Sequence, residues 1–169
     1  YGITGSVVCG LDFLKGIAYV AGMDAKQIPG ATGYSDTDLD SKLEYAKNSL
    51  TYHDLVVIHV NGPDEEAHRL NPHGKVSILE RIDRELVGPL VDHLENTFHG
   101  DYRFALLPDH YTLSVNGAHS DKAVPFLVCG KGIEPDGVRE YTEKAVAETS
   151  VSIVKSYEFM DLFLIRPVA

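Results

Sequence analysis

Three short groups of side chains in this sequence are of the types that hold divalent metal ions or move protons. Asp64-Glu65-Glu66-Ala67-His68 is the first, Asp109-His110 the second, and His119 the third. Carboxylate oxygens and imidazole nitrogens are donors suited to zinc, manganese or magnesium. If Asp64 opens a helical turn, His68 lies one turn later on the same face, and both side chains reach one ion. Asp109 and His110 are neighbours. They point apart in a regular helix or strand, but on a loop they can reach the same or neighbouring ions. The chain has eight histidines, so some fall beside carboxylates by chance. Spacing alone therefore leaves two readings open, metal ligands and ordinary surface or capping pairs.

The pattern of apolar residues says what would position these groups. An apolar run at 55–60 reads as a buried strand, and the first group follows it. A second run at 103–107 reads as a strand that ends at Pro108-Asp109-His110, and His119 precedes a further run at 124–129. In an open parallel sheet, ligands bind beyond the carboxyl ends of strands, where the first two groups sit. The remaining elements are a strand at 6–9, a helix at 11–21 stopped by Gly22, and a strand at 26–28. A helix to about 50 follows, capped by Asp36 or Thr37. A long helix at 75–97 carries Val76, Leu79, Ile82, Leu86, Leu90 and Leu94 as its apolar stripe and bends at Gly88-Pro89. Helices at 138–147 and 157–164 complete the pattern. Strands alternating with helices predict an α/β layered domain with a mostly parallel sheet. No repeat, linker or low-complexity stretch divides the 169 residues.

Composition narrows the class of partner. Twenty-five acidic against 15 basic residues give a net charge of −10, the wrong sign for a protein that tracks a phosphate backbone. A small anionic substrate is compatible, because a metal site reverses the local field. No apolar run reaches the length of a membrane span. The two cysteines, Cys9 and Cys129, lie in or beside apolar runs. They read as buried structural thiols in a reducing cytoplasm rather than a disulfide framework. Asp36-Thr37-Asp38-Leu39-Asp40 begins like a calcium loop but has Ser41 and Lys47 where that loop needs Gly and Glu. Gly130-Lys131-Gly132 reads as a turn. Lys75 faces either a cleft or solvent. His53, His59, His73, His93 and His99 stand in no motif.

Several segments resemble one family. Gly62-Pro63-Asp64-Glu65-Glu66-Ala67-His68 is similar to an A-P-D-E-x-G-H segment of the archaeal-type cofactor-independent phosphoglycerate mutases, members of the alkaline phosphatase superfamily. Leu107-Pro108-Asp109-His110-Tyr111-Thr112 resembles the L-P-D-H-x-T segment of the same family. Ala118-His119-Ser120 with Val124-Pro125-Phe126 resembles its H-T…V-P-F. Residues 11–18 and 29–34 also look like this family, so the resemblance runs in order along nearly the whole chain.

The resemblance implies an alkaline-phosphatase-like fold, of which residues 1–169 would be the carboxyl-terminal part. It implies two divalent ions, Mn²⁺, Mg²⁺ or Zn²⁺. Asp64, His68 and His119 would hold one, and Asp109 and His110 the other. Lys15 stands where a family lysine reaches the phosphoryl group. A small phosphorylated substrate would be converted between 3- and 2-phosphoglycerate through a phosphoserine. The serine and a further aspartate are expected upstream, in a missing amino-terminal part, so this segment alone would be inactive. Asn116-Gly117 replaces an expected basic residue, Ala67 replaces Gly, and residues 69–73 depart from the family's continuation. These departures keep other substrates in view, as for a phosphatase, a phosphopentomutase-like enzyme or the relatives labelled homoserine kinases. A non-catalytic metal-binding domain is the alternative of another class.

Overall fold

The computed structural model describes residues 1–164, which fall into two compact units. The first comprises residues 1–93 and 112–118, the second residues 94–111 and 119–164.

In the first unit, strand β1 (Gly5–Val8) pairs in parallel with β2 (Leu55–Ile58), Val8 opposite Ile58. The His59 amide donates to the Val8 carbonyl at 2.8 Å and carries the ladder one step further. Two parallel neighbours need a long crossover. Helices α1 (Asp12–Val20) and α2 (Leu39–Ser49) lie within it. Gly22, with φ of 73°, ends the first helical segment where a side chain would be strained. Asp38 caps α2 by accepting from the Ser41 amide at 2.9 Å and the Ser41 hydroxyl at 2.7 Å. Those bonds hold its carboxyl below the usual range. The cap is thus one or two residues beyond the expected Asp36 or Thr37. Val8, Ile28, Ala31 and Ala46 form the core between sheet and helix, with Tyr45, Val56 and Ile58 against it. The strand expected at 26–28 does not form. A single bridge joins Ser6 to Asp24, and Ile28 enters the core from a loop.

Helix α3 (Gly62–His68) is followed by α4 (Pro72–Ile82), a π-helical turn at Asp83–Val87, and α5 (Gly88–Phe98). The expected helix at 75–97 starts earlier, because Asn71 accepts from the Gly74 amide at 3.0 Å and Pro72 needs no donor in a first turn. The expected bend takes the form of the wide turn. The Gly88 amide bonds to the Asp83 carbonyl five residues back, just before Pro89, which has no amide to give. Ile78, Leu86, Leu90 and Leu94 are buried. Val76 and Leu79, placed on the stripe by spacing, are 54% and 47% exposed.

In the second unit, β3 (Arg103–Leu106) pairs with β6 (Leu127–Gly130) antiparallel, Arg103 opposite Gly130. The short strands β4 (Tyr111–Thr112) and β5 (His119–Ser120) make a third two-stranded sheet. The expectation of one mostly parallel sheet is therefore wrong. The domain is α/β with mixed pairing, and only the β1–β2 pair is parallel among the described residues. The physical reason is the connection. Six residues link β4 to β5, too few for a parallel crossover, and no helix lies in the connection from β3 to β6 to carry one. Gly130 has φ of 112°, and a Cβ there would lie 2.2 Å from the Tyr102 carbonyl oxygen.

The helix expected at 138–147 is confined to α6 (Glu143–Ala147), capped by Thr142. A 3₁₀ turn at Ser156–Glu158 leads into α7 (Phe159–Leu164). Phe159 meets Phe126 edge-on at 5.8 Å and stacks on Phe163 at 6.0 Å, while Arg103 Nη1 donates to the Phe163 carbonyl at 2.7 Å. Cys9 is buried, but Cys129 is exposed, so the two thiols are not alike. No helix among the described residues is long and apolar enough to cross a membrane.

Candidate metal site

Helix α3 forms where the sequence places the Asp64–His68 pair. Pro63 lies in its first turn, and the Asn61 carbonyl accepts from the Asp64 and Glu65 amides at 3.0 and 3.2 Å. One helical turn then brings His68 Nε2 to 3.3 Å from Asp64 Oδ1. Ligand atoms about 2.0–2.2 Å from one ion stand roughly 3.0–3.5 Å apart at octahedral or tetrahedral angles. The pair is therefore already spaced to share an ion. Its side chains are half-buried rather than sealed off, so an ion could enter.

The segment 112–118, which belongs to the same unit, lies against this helix. Thr112 Oγ1 donates to Asp64 Oδ1 at 2.5 Å, and the Thr112 carbonyl accepts from Lys75 Nζ at 2.7 Å. Lys75 is thus tied to a buried backbone carbonyl rather than left on a solvated face. Gly117 has φ of 68°, and a Cβ there would lie 3.3 Å from the His68 carbonyl oxygen and 3.4 Å from His68 Cα. Sequence reasoning passed over Thr112, although it stands in the L-P-D-H-x-T segment. A buried threonine with its carboxylate partner 48 residues away leaves no periodic signal.

Glu66 is turned inward, accepting from the Ser35 hydroxyl at 2.7 Å, Asn71 Nδ2 at 2.7 Å and Arg69 Nη1 at 3.3 Å. The first two bonds hold its carboxyl below the usual range. It braces α3 against the start of α4 through Asn71. Lys42 is a second charged group that the sequence did not reveal. It is fully buried, and its Nζ donates to the His59 carbonyl at 2.8 Å, just past the carboxyl end of β2. Burial pulls its pKa from 10.5 to about 8, with the nearby Cys9 thiol opposing the fall. Lys15 Nζ bonds to Asp12 Oδ1 at 3.0 Å and Gln27 Oε1 at 2.5 Å. Among the histidines without a motif, His53 sits between the Ser49 carbonyl at 3.1 Å and the Asp24 carboxylate at 3.2 Å.

In the second unit, Asp109 and His110 follow β3. The His110 amide donates to Asp109 Oδ1 at 3.0 Å, and the Asp109 carboxylate lies 3.6 Å from His110 Nε2. The rings of His110 and His119 lie 4.0 Å apart, tilted by 32°. Asp64 and His68 thus stand in the first unit, and Asp109, His110 and His119 in the second.

A sequence model described as the metalloenzyme superfamily matches residues 1–165. Over 164 residues the chain is 36% identical to a 2,3-bisphosphoglycerate-independent phosphoglycerate mutase 2 of Methanothermobacter thermautotrophicus, covering 97% of this chain and 40% of that protein. It is 35% identical over 167 residues to a probable enzyme of the same description from Geobacter sulfurreducens, covering 98% of this chain and 41% of that one. The chain thus spans about two fifths of the length of these curated relatives. Among solved structures, a Pyrococcus horikoshii protein matches with a TM-score of 0.80 at 28% identity, over 85% of this chain and 42% of that one. A cofactor-independent phosphoglycerate mutase from Thermoplasma acidophilum matches with a TM-score of 0.66 at 28% identity, over 95% of this chain and 36% of that one.

Proposed function

This chain belongs to the metalloenzyme superfamily, and from that premise we propose that the protein carrying it is a metal-dependent phosphoryl-transfer enzyme interconverting 3- and 2-phosphoglycerate. The observation that carries the reading is the Asp64–His68 pair, spaced at 3.3 Å for a shared ion, in a chain whose relatives bear the mutase name. Asp64, His68 and His119 would be ligands of one divalent ion. Asp109 and His110 would belong to a second site, an assignment that rests on the sequence resemblance. When bound, such ions supply positive charge opposite a phosphoryl group and activate an attacking oxygen.

The chain's own residues have narrower tasks. Asp64 and His68 offer one oxygen and one nitrogen from a single rigid helical turn, so the pair loses little freedom on binding. Lys15 would meet a substrate phosphate as a point charge, exchanging its bonds to Asp12 and Gln27 for that contact. The phosphoryl-accepting serine is assigned to no residue of this chain, and is sought in the rest of the same protein.

The test is a coupled assay of 3-phosphoglycerate turnover with manganese, on the protein that carries this chain and on its His68→Ala variant. Loss of an outer partner of a metal ligand costs about 10–100-fold in affinity or activity, so loss of the ligand itself should cost at least that. Unchanged turnover in the variant at limiting metal would refute the assignment. Turnover of phosphate esters without mutase activity would move the reading to the related phosphatases.

A further inference from the structure

We infer that the 112–118 segment is a strap that positions the Asp64–His68 pair, with Thr112 and Gly117 as its two fixing points. The inference rests on the metal reading above and adds residues to which that reading gives no role.

The strap is built to hold a shape of its own. The Leu113 amide donates to the Ala118 carbonyl at 2.9 Å, the Gly117 amide donates to the Leu113 carbonyl at 2.7 Å, and Asn116 Oδ1 accepts from the Ala118 amide at 3.0 Å. One end is pinned from outside, since Lys75 Nζ holds the Thr112 carbonyl at 2.7 Å. Thr112 is only 5% exposed, so its hydroxyl is directed by packing rather than by solvent. That hydroxyl meets Asp64 Oδ1, the same oxygen that lies 3.3 Å from His68 Nε2. The carboxylate is thereby fixed in rotation, with Oδ1 toward the hydroxyl and the imidazole.

The far end of the strap touches the other member of the pair. Gly117 sits over His68, where a Cβ would press on the His68 backbone at 3.3–3.4 Å, and its φ of 68° suits glycine. The basic residue expected from the family resemblance just before His119 is replaced here by Asn116-Gly117. In this chain that dipeptide closes the strap onto α3 instead of presenting a charge. Thr112 and Gly117 thus bracket the helical turn that carries both ligands. A carboxylate oriented in advance binds an ion with less loss of freedom, which is how outer partners raise the affinity of metal ligands.

The experiment is a calorimetric Mn²⁺ titration of the protein carrying this chain, with Asp64→Ala, Thr112→Val, Thr112→Ser and Lys75→Met beside the parent. Circular dichroism melts without metal report folding. The reference is the Mn²⁺ affinity that Asp64→Ala abolishes. Thr112→Val, equal in shape but lacking the hydroxyl, should weaken that affinity by about 10–100-fold. Thr112→Ser should restore it to within roughly threefold, a rescue that a merely structural role for the side chain would not give. If Thr112→Val fails to fold, Lys75→Met, which frees the Thr112 carbonyl but leaves the hydroxyl, should still weaken binding several-fold. Parental affinity in a folded Thr112→Val variant, or equal losses in Thr112→Ser and Thr112→Val, would overturn the inference while leaving the metal site standing. Parental affinity in Asp64→Ala would instead overturn the metal reading on which it rests.

Discussion

Replacing Lys42 by methionine should change how stability depends on pH more than it changes stability at neutral pH. The ammonium is fully buried, its bonded acceptor is the His59 carbonyl, and burial lowers its pKa from 10.5 to about 8. Each tenfold change in proton affinity is worth about 1.4 kcal/mol, so keeping the charge inside costs about 3 kcal/mol relative to the neutral amine. Methionine removes that cost but leaves the His59 carbonyl without its donor, a loss of about 1–3 kcal/mol. The two nearly cancel at neutral pH. They do not cancel at high pH. The unfolded chain keeps the Lys42 proton up to its ordinary pKa, whereas the folded chain releases it near 8. Between those values the unfolded state binds more protons, so this group makes the parent more stable as pH rises. From about pH 7.5 to about pH 9.5 the parent should gain about 2 kcal/mol over Lys42→Met. For a chain of this size that corresponds to roughly 4–8 °C in melting temperature. Urea denaturation at each pH, followed by circular dichroism because the chain has no tryptophan, measures the difference. Parallel pH profiles for the two proteins would refute the buried charge. A relative loss of parental stability with rising pH would refute the sign.

Asp38→Ala should remove both bonds to Ser41 at the start of α2 and lower the urea midpoint. The cost should shrink as acid protonates the Asp38 carboxyl, because a carboxylate whose folded pKa is depressed loses its contribution as pH falls. Gly130→Ala should be far more damaging, since its methyl would fall 2.2 Å from a backbone oxygen at a φ of 112°. Loss of strand amide protection at β3 and β6 in hydrogen exchange checks this, and normal protection would refute the close approach.

Local order carried some of this protein, and it was legible. The Asp64–His68 pair is separated by one helical turn, so helical periodicity alone brought Asp64 Oδ1 and His68 Nε2 to 3.3 Å. The strand at β1, the helix stop at Gly22 and the final amphipathic helix likewise follow from patterns within a few residues. Only tertiary structure decided the rest. The apolar face of the helix beginning at Pro72 passes through Ile78 instead of Val76 and Leu79, because a π turn absorbs the bend that Pro89 imposes. Lys42 reads as an ordinary surface lysine until the helix is laid on the sheet, where it finds the His59 carbonyl 17 residues away. Thr112 acquires its partner Asp64 across 48 residues, and Gly117 its place over His68, only when the chain folds back on α3. Such contacts depend on where distant backbone comes to rest, which no pattern within either short segment encodes.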